Sequence, residues 1–412
     1  MTAPIVVIGG GPAASAACGA LREEGYDGPL VVCSAEHVAP YERPPLSKDL
    51  LTGQATAADL ALRADDWYAA NDIDLRLGTP VVALSNGTHE VELAGGERLA
   101  YDKVLLATGG SPRRLPDDHS DRVLYLRDLG DSHELGKRIR SGEPLVVLGG
   151  GFIGCEVAAS ARGSGAEVTV LEMDELPMRR GVGDAIAAAM AQVHRENGVV
   201  LRTGERVDVV ESSSEGVRIR AAGGDLECAT LLVAVGLVPN TAVLRGTGID
   251  LDPASGGVAV DGFCRSSDPD VFAAGDVAAH DHPGYGRIRV EHHDNAIKQG
   301  AAAARAMLGV LSEPYAEPHW FWSDQFEHNL QSVGRSGPGD QQVVRGSIEE
   351  RRFAQFSLHR GRVRSVIALD RGRDMMWAKK LVASGMTVDP GQLADDSVPL
   401  KQLVKSGGGA EQ

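Results

Sequence analysis

A glycine-rich turn occurs twice in this chain, each time between an apolar run and a small-residue helix. No other feature restricts the possible folds as strongly. The second copy, residues 145–172, reads LVVLGGGFIGCEVAASARGSGAEVTVLE. Leu145 to Leu148 lead into Gly149-x-Gly151-x-x-Gly154, an alanine-rich segment follows, and a second apolar run, Val168–Leu171, ends at Glu172. That is the strand–turn–helix–strand unit that holds a dinucleotide. Gly149 permits the tight turn, Gly151 lets a pyrophosphate reach the backbone, and Gly154 lets helix pack on strand. The helix N-terminus then offers free amides and its positive dipole end to the phosphates. Such a fingerprint is weak alone; the flanking strands and terminal acid give it weight.

The first copy runs from the strand Ile5–Ile8 through Gly9-x-Gly11-x-x-Ala14 and a helix to Leu21, then to a strand Leu30–Cys33. Alanine serves at the third position because only smallness is required there. Two units imply two dinucleotides, most simply a tightly held FAD and a diffusible NAD(P)H. The acid closing each unit bears on the ribose. Glu172 accepts from ribose hydroxyls and repels a 2′-phosphate, and Asp174 and Glu175 reinforce its charge, so NADH is expected. Arg179 and Arg180 are the residues that would favour NADPH instead. In the first unit the earliest carboxylate after the strand is Glu36, either the ribose ligand or a solvated loop residue.

At 412 residues the chain exceeds one ordinary core and suggests two or three domains. Its 43% apolar and 24% charged residues fit a globular protein in water, and no apolar run approaches the roughly 20 residues that span a bilayer. The first strand begins at once, which leaves no signal peptide and predicts a cytoplasmic protein with no membrane contact. A formal charge of −16 argues against a nucleic-acid partner. The five cysteines, Cys18, Cys33, Cys155, Cys228 and Cys264, lack the close spacing that a metal or redox pair requires. They read as small buried hydrophobes, and no metal site is expected.

After the first unit comes Tyr41–Lys48, YERPPLSK, a loop stiffened at Pro44 and Pro45. Further on, VLLATGG ends a buried strand at 104–110, LLVAVGLVPN closes the second unit at 231–240, and DPDVFAAGDVA spans 268–278. WFWSDQF follows at 320–326. Together with the two glycine turns, these motifs resemble the FAD-dependent ferredoxin reductases that feed bacterial P450s and aromatic-ring dioxygenases. The likeness covers residue 5 to about residue 400. PPLSK and FWSDQ are its most specific parts. In related disulfide reductases two cysteines occupy the place of PPLSK, so electrons here must leave the flavin without a thiol.

The resemblance implies an α/β fold of two Rossmann-like domains of the glutathione-reductase type plus a C-terminal α+β domain. It implies FAD bound by residues 1–112 and 245–319, NAD by 113–244, and a third domain over 320–412. It places Lys48 and Glu156 together over the flavin, Lys48 stabilising the charge of the reduced ring and Glu156 holding the lysine. A first-turn carboxylate suited to the helix dipole is the alternative for Glu156. FAD contacts are implied for Gly9, Gly11, Ala13, Ala14, Arg43, Pro45, Ala107, Thr108, Gly109, Gly275 and Asp276, although Asp276 also reads as a helix cap. Glu291, His292, His293 and Trp322 join them, His293 standing where relatives carry an aromatic residue. Stacking is expected of it ahead of titration. Arg127, Gly149, Gly151, Phe152, Ile153, Gly154, Arg180, Val235 and Gly236 complete the nucleotide contacts.

The alternation of Val81–Tyr101 predicts a β-meander. Strands are expected at 342–345, 353–359 and 363–369, a helix at Met375–Ala383, and an unstructured tail from Ser406. Trp320 and Phe321 either line the flavin or fill a core. Eight arginines between 345 and 373, against three acids, form either a solvated face or a docking surface for an acidic partner. The implied function is NADH-dependent reduction of a [2Fe-2S] ferredoxin by a monomeric flavoprotein. A rubredoxin reductase, a monodehydroascorbate-type reductase or an NADH-binding sensor like apoptosis-inducing factor would share most of the motifs. The acidic charge disfavours the last of these.

Overall fold

The computed structural model describes residues 3–116 and 120–407. It contains two compact units, one of Met1–Arg43, Ala57–Ser111 and Leu237–Glu317, the other of Pro44–Thr56, Pro112–Gly236 and Pro318–Gln412.

In the first unit five parallel strands lie in the order Val271–Ala273, Lys103–Leu106, Ile5–Ile8, Leu30–Cys33, Ile73–Arg76. Ile5–Ile8 is central and buried along its length, which is why it reads as an unbroken apolar run. The chain leaves it on one side for Leu30–Cys33 and later returns on the other through Lys103–Leu106. The strand order reverses at Ile5–Ile8, the place where sheets of this kind hold their ligands, and the first glycine turn follows that strand. The helices Pro12–Glu23 and His293–Met307 cover one face with small residues, including Ala13, Ala14, Ala17 and Ala303. A β-carbon at Gly300 would fall 2.3 Å from the Ala13 carbonyl oxygen, so the two helices touch through their backbones. The other face is covered by the expected meander, Val81–Ser85, Glu90–Leu93 and Arg98–Ala100, through Leu84, Val91 and Leu93.

The second unit repeats the plan with five parallel strands ordered Val200–Arg202, Val168–Leu171, Leu145–Leu148, Thr230–Val233, Val123–Leu124. A five-stranded antiparallel sheet follows, ordered Trp320–Gln325, His328–Gly334, Arg362–Leu369, Arg352–His359, Gln341–Ser347. Helix Gly372–Ser384 packs on one face through Met375, Ala378 and Leu381. On the other, Leu330, Phe353 and Leu369 meet Ile186, Met190 and Val193 of helix Arg179–Glu196.

Several details differ from expectation. Ile73–Arg76 was not anticipated as a strand; its solvent-facing Asp74 and Arg76 hide a short edge strand among helix-like spacing. The hairpin Ala278–His282 with Gly286–Arg289 was likewise missed. Pro44–Thr56 groups with the second unit because Leu51 enters a core with Leu135, Ile139 and Val157. The terminal helix Leu400–Gly407 runs past the expected start of the tail, whose remainder lies outside the described residues.

Candidate functional site

In the first unit the chain turns at Gly9, with φ +131° and no room for a side chain, since a β-carbon would stand 2.2 Å from the Ala107 carbonyl oxygen. At Gly11 the opposite holds: an added β-carbon meets nothing within 4 Å. The second residue of the motif therefore faces open space at the start of helix Pro12–Glu23, whose first-turn amides receive no side-chain cap. A buried, uncapped helix start needs an outside acceptor, and a phosphate supplies one.

Other anticipated residues of this unit gather at the same sheet edge. Thr108 donates its hydroxyl to the Asn240 carbonyl at 2.8 Å, and the Asn240 amide returns a bond to the Thr108 carbonyl at 2.9 Å. Gly275 approaches Ala13 so closely that an added β-carbon would sit 3.2 Å from that residue's own. Ala274, not Asp276, occupies the N-cap position of the turn Gly275–Val277, so the helix-cap reading of Asp276 falls. Glu36 is held by the Arg43 guanidinium and accepts the Tyr41 hydroxyl at 2.6 Å, so it is not a free loop carboxylate. Glu291 pairs with Arg289 at 2.5 Å. His293 places its Nε2 2.8 Å from the Glu42 carboxylate. Burial pushes His292 down to about 4, so that ring is neutral at physiological pH. Gln299, which sequence reading missed, accepts the Gly275 amide at 2.9 Å from within helix His293–Met307.

The second unit carries the matching turn. Gly149 has φ +106°, and its β-carbon would lie 2.4 Å from the Ala234 oxygen; one at Gly154 would lie 2.0 Å from the Gly149 oxygen, while Gly151 is open. This turn borders a cavity of about 890 Å³ lined by Gly149 to Phe152, Glu172, Arg179, Arg180, Val235 and Gly236. Ile153 and Arg127 are not in its wall. Ile153 points outward at 47% exposure, and the Arg127 amide donates to Asp131 in the capping box of helix Leu129–Arg140. Met173, Met178 and Glu205 to Val210 also line the cavity; the strand Val207–Ser212 comes too late in the chain for a local motif to flag it. The Glu172 carboxylate accepts the amides of Gly150 at 2.7 Å and Asp174 at 2.7 Å, which fixes it against the glycine turn. Arg179 is tied to Asp184 at 2.7 Å, Glu175 at 3.0 Å and Asp174 at 3.2 Å. Arg180 is 81% exposed along its side chain, with Asp174 at 4.0 Å.

A charged cluster lies elsewhere in this unit. Lys48 Nζ stands 3.3 Å from Glu156 Oε1 and 3.7 Å from Asp324 Oδ2. Glu156 is 5% exposed and accepts Ser47 Oγ on Oε2 at 2.5 Å and Ser323 Oγ on Oε1 at 2.6 Å. Burial raises its pKa above the usual carboxylate range, while Lys48 and the two hydroxyls work the other way. Helix Phe152–Gly163 begins four residues earlier, so Glu156 lies in the second turn, not the first. A buried carboxylate beyond the first turn gains little from the helix dipole; its partners are the side chains just named. Beside Lys48 stands Trp322, its ring centroid 5.8 Å away and stacked on Trp320 at 5.0 Å. Phe321 points the other way, edge-on to Phe152 at 4.8 Å, into the core of this unit.

Two expectations about reactive groups are decided by burial. All five cysteines are buried and free. Desolvation pushes Cys18 up to about 12, Cys33 and Cys228 up to about 11, and Cys155 and Cys264 higher still. None supplies a thiolate. The arginine run is not one surface. Arg345 is 3% exposed and donates to the carbonyls of Leu393, Asp395 and Val398 at 3.1, 2.7 and 2.8 Å. Arg371 binds Asp374 and Asp396, and Arg351 binds Glu196. Those three hold the fold together, which overturns the run as an eight-residue docking face.

Two phosphate cradles on uncapped helix starts, one beside a dinucleotide-sized cavity, and no reactive thiol define an oxidoreductase of two dinucleotides. The family model for pyridine nucleotide-disulphide oxidoreductases matches residues 3–300, and that for a reductase C-terminal domain matches 320–404. The ferredoxin–NAD(+) reductase component of the anthranilate 1,2-dioxygenase system of Burkholderia cepacia is 38% identical, over 97% of this chain and 99% of its own. Putidaredoxin reductase of Pseudomonas putida is 35% identical, over 97% and 96%. The reductase in the covalent putidaredoxin reductase–putidaredoxin complex superimposes with a TM-score of 0.94 at 34% identity, covering 99% of both chains. The chain belongs to the pyridine nucleotide-disulphide oxidoreductase family, among the ferredoxin–NAD(+) reductases. FAD and NAD(H) are accordingly its cofactors, and the open positions at Gly11 and Gly151 fit their pyrophosphates. Among the described residues no helix is long and apolar enough to cross a membrane.

Proposed function

We propose that this protein takes electrons from NADH and passes them, through FAD, to a [2Fe-2S] ferredoxin serving a P450 or ring-hydroxylating oxygenase. The supporting observation is the cluster at Lys48: at the sequence position where thiol-dependent relatives carry cysteines stands a cation instead, paired with the buried carboxylate of Glu156, which two hydroxyls also bond. The chemistry FAD supplies when bound is the conversion of a two-electron hydride into electrons passed singly. The chain binds and orients around it. Gly9, Gly11 and the helix Pro12–Glu23 hold one pyrophosphate, and Gly149, Gly151 and the helix Phe152–Gly163 hold the other. Glu172 takes the adenine-side ribose and turns away a 2′-phosphate. Lys48 provides the positive charge that favours the reduced flavin, and Glu156 keeps the lysine in place. Asp276 and Thr108 orient the flavin chain, and Trp322 flanks Lys48. The protein works as a cytoplasmic monomer.

Anaerobic stopped-flow mixing with NADH, then with an oxidised [2Fe-2S] ferredoxin from the same organism, tests this reading. Flavin bleaching by NADH followed by reduction of the cluster supports it. Bleaching without cluster reduction removes the ferredoxin as acceptor, and bleaching by NADPH alone overturns the role given to Glu172.

A further inference from the structure

The carboxylate of Glu156 does not end at its two serines. Ser323 Oγ also receives the side-chain amide of Gln325 at 2.9 Å, and that amide reaches Met178 Sδ at 3.2 Å. Gln325 Oε1 in turn meets His194 Nε2 at 2.8 Å. His194 belongs to helix Arg179–Glu196, Gln325 and Ser323 to strand Trp320–Gln325, and Glu156 to helix Phe152–Gly163. Four side chains from three elements thus form one chain, and His194, Gln325 and Ser323 are all within 1% of complete burial. The described electron path uses neither the histidine nor the glutamine.

The positions of the hydrogens follow from what each group is able to accept. A thioether sulfur only accepts, so the Gln325 atom beside Met178 is its NH2 group, and the carbonyl oxygen faces His194. His194 Nε2 must then carry the hydrogen. Burial holds the ring below its ordinary pKa, so the ring is neutral and Nδ1 is bare. Ser323 accepts from Gln325 and directs its single hydrogen to Glu156 Oε1, while Ser47 directs its own to Oε2. Every hydrogen in the chain points toward the carboxylate. A proton on Oε1 would put two hydrogens between Glu156 and Ser323 unless the Ser323 hydroxyl gave up its bond to the carboxylate and turned its hydrogen elsewhere. Polarised chains of this kind strengthen bond by bond in a low-dielectric interior.

We propose that Gln325 and His194 are positioning residues that, through Ser323, hold Glu156 as an anion against Lys48. Its bearing on electron transfer rests on the role given to Lys48 above. The charged and titratable groups around Glu156 are Lys48 from the Pro44–Lys48 loop, Asp324 beyond the lysine, and Cys155 on its own helix. Lys48 adds its own hydrogen to the carboxylate beside those the chain delivers, and Asp324 and Cys155 add none.

Two measurements on the full-length, FAD-loaded protein test the proposal. Nitrogen-15 NMR of labelled histidine, assigned with His194→Phe, reads the tautomer in the unsubstituted chain; Nε2–H is expected, and Nδ1–H overturns the proposal. Infrared spectra of carboxyl-labelled glutamate, assigned with Glu156→Gln, give the midpoint at which Glu156 takes up a proton. Gln325→Leu and His194→Phe are each expected to raise that midpoint by about half to one pH unit, roughly three- to tenfold in acid dissociation constant. His194→Gln, which keeps an N–H for Gln325, restores it. An unmoved midpoint in both variants overturns the proposal, and the tautomer decides if neither variant folds. The flavin reduction potential of Lys48→Met separates the two readings. If that potential is unchanged while Gln325→Leu moves the midpoint, the relay stands and the role of Lys48 falls. The converse result removes the relay alone.

Discussion

Lys48 and Glu156 are separated by more than a hundred residues, and each depends on the other. The ammonium lies beside a carboxylate that burial drives toward its neutral form, so removing the cation leaves an uncompensated buried acid. Lys48→Met is expected to slow flavin reduction by NADH by about a hundredfold, in line with removal of one preorganised charge, and to leave NADH affinity nearly unchanged. A stopped-flow series over NADH concentration separates the two parameters. Cofactor choice is also a residue-scale matter. Arg179 is engaged by Asp174, Glu175 and Asp184 and is not free to clamp a 2′-phosphate. Specificity here combines a repulsive carboxylate with a neutralised arginine. Asp184→Asn alone should leave NADH preference intact. Glu172→Gln combined with Asp184→Asn should move the NADPH-to-NADH ratio of kcat/KM toward NADPH by about tenfold.

At the scale of the element, the glycine turns show that one motif contains two different requirements. A β-carbon at Gly154 would stand 2.0 Å from a backbone oxygen within the turn, whereas one at Gly151 meets nothing in the protein. Gly154→Ala is therefore expected to cost about 2 kcal/mol of stability through overpacking, read as a lower urea midpoint. Gly151→Ala should fold normally and weaken NADH binding, and the corresponding change at Gly11 should weaken retention of FAD. Equal loss of stability at Gly151 and Gly154 would contradict this division. Local pattern made these turns legible, because the strand, turn, helix and closing acid are contiguous in the chain. Ile73–Arg76 was not legible, since four residues with two charges on the open face resemble a helix fragment as much as an edge strand. The arginine run misled for a related reason: charge density along the sequence carries no record that Arg345 is buried under the carbonyls of residues 393–398.

For the whole molecule, buried histidines set the response to acid. Burial takes His280 from 6.5 down to about 4, and His292 moves the same way. Between those values the unfolded chain binds protons that the native protein refuses, so the stability these two histidines contribute falls as pH drops from 6.5 toward 4. The His280 contribution is about 3 kcal/mol at full effect. Urea unfolding across this range should show the slope, and His280→Gln should flatten it. An unchanged slope in that variant would show that His280 titrates normally.

The sequence by itself determined the two dinucleotide units, their order, the acid closing the second, and the lack of any thiol pair. These follow from contiguous patterns in which neighbours in the chain are neighbours in space. Only the tertiary structure decided how Glu156 is held, because Ser47 and Lys48, Ser323 and Gln325, and His194 come from three segments remote from its own helix, and they meet it only when two helices, a loop and a strand pack together. It also decided which arginines are committed to the fold, and that the His293 ring faces the Glu42 carboxylate. Burial and long-range pairing are properties of the folded interior, and they fix the charge on a side chain that its sequence neighbours leave open.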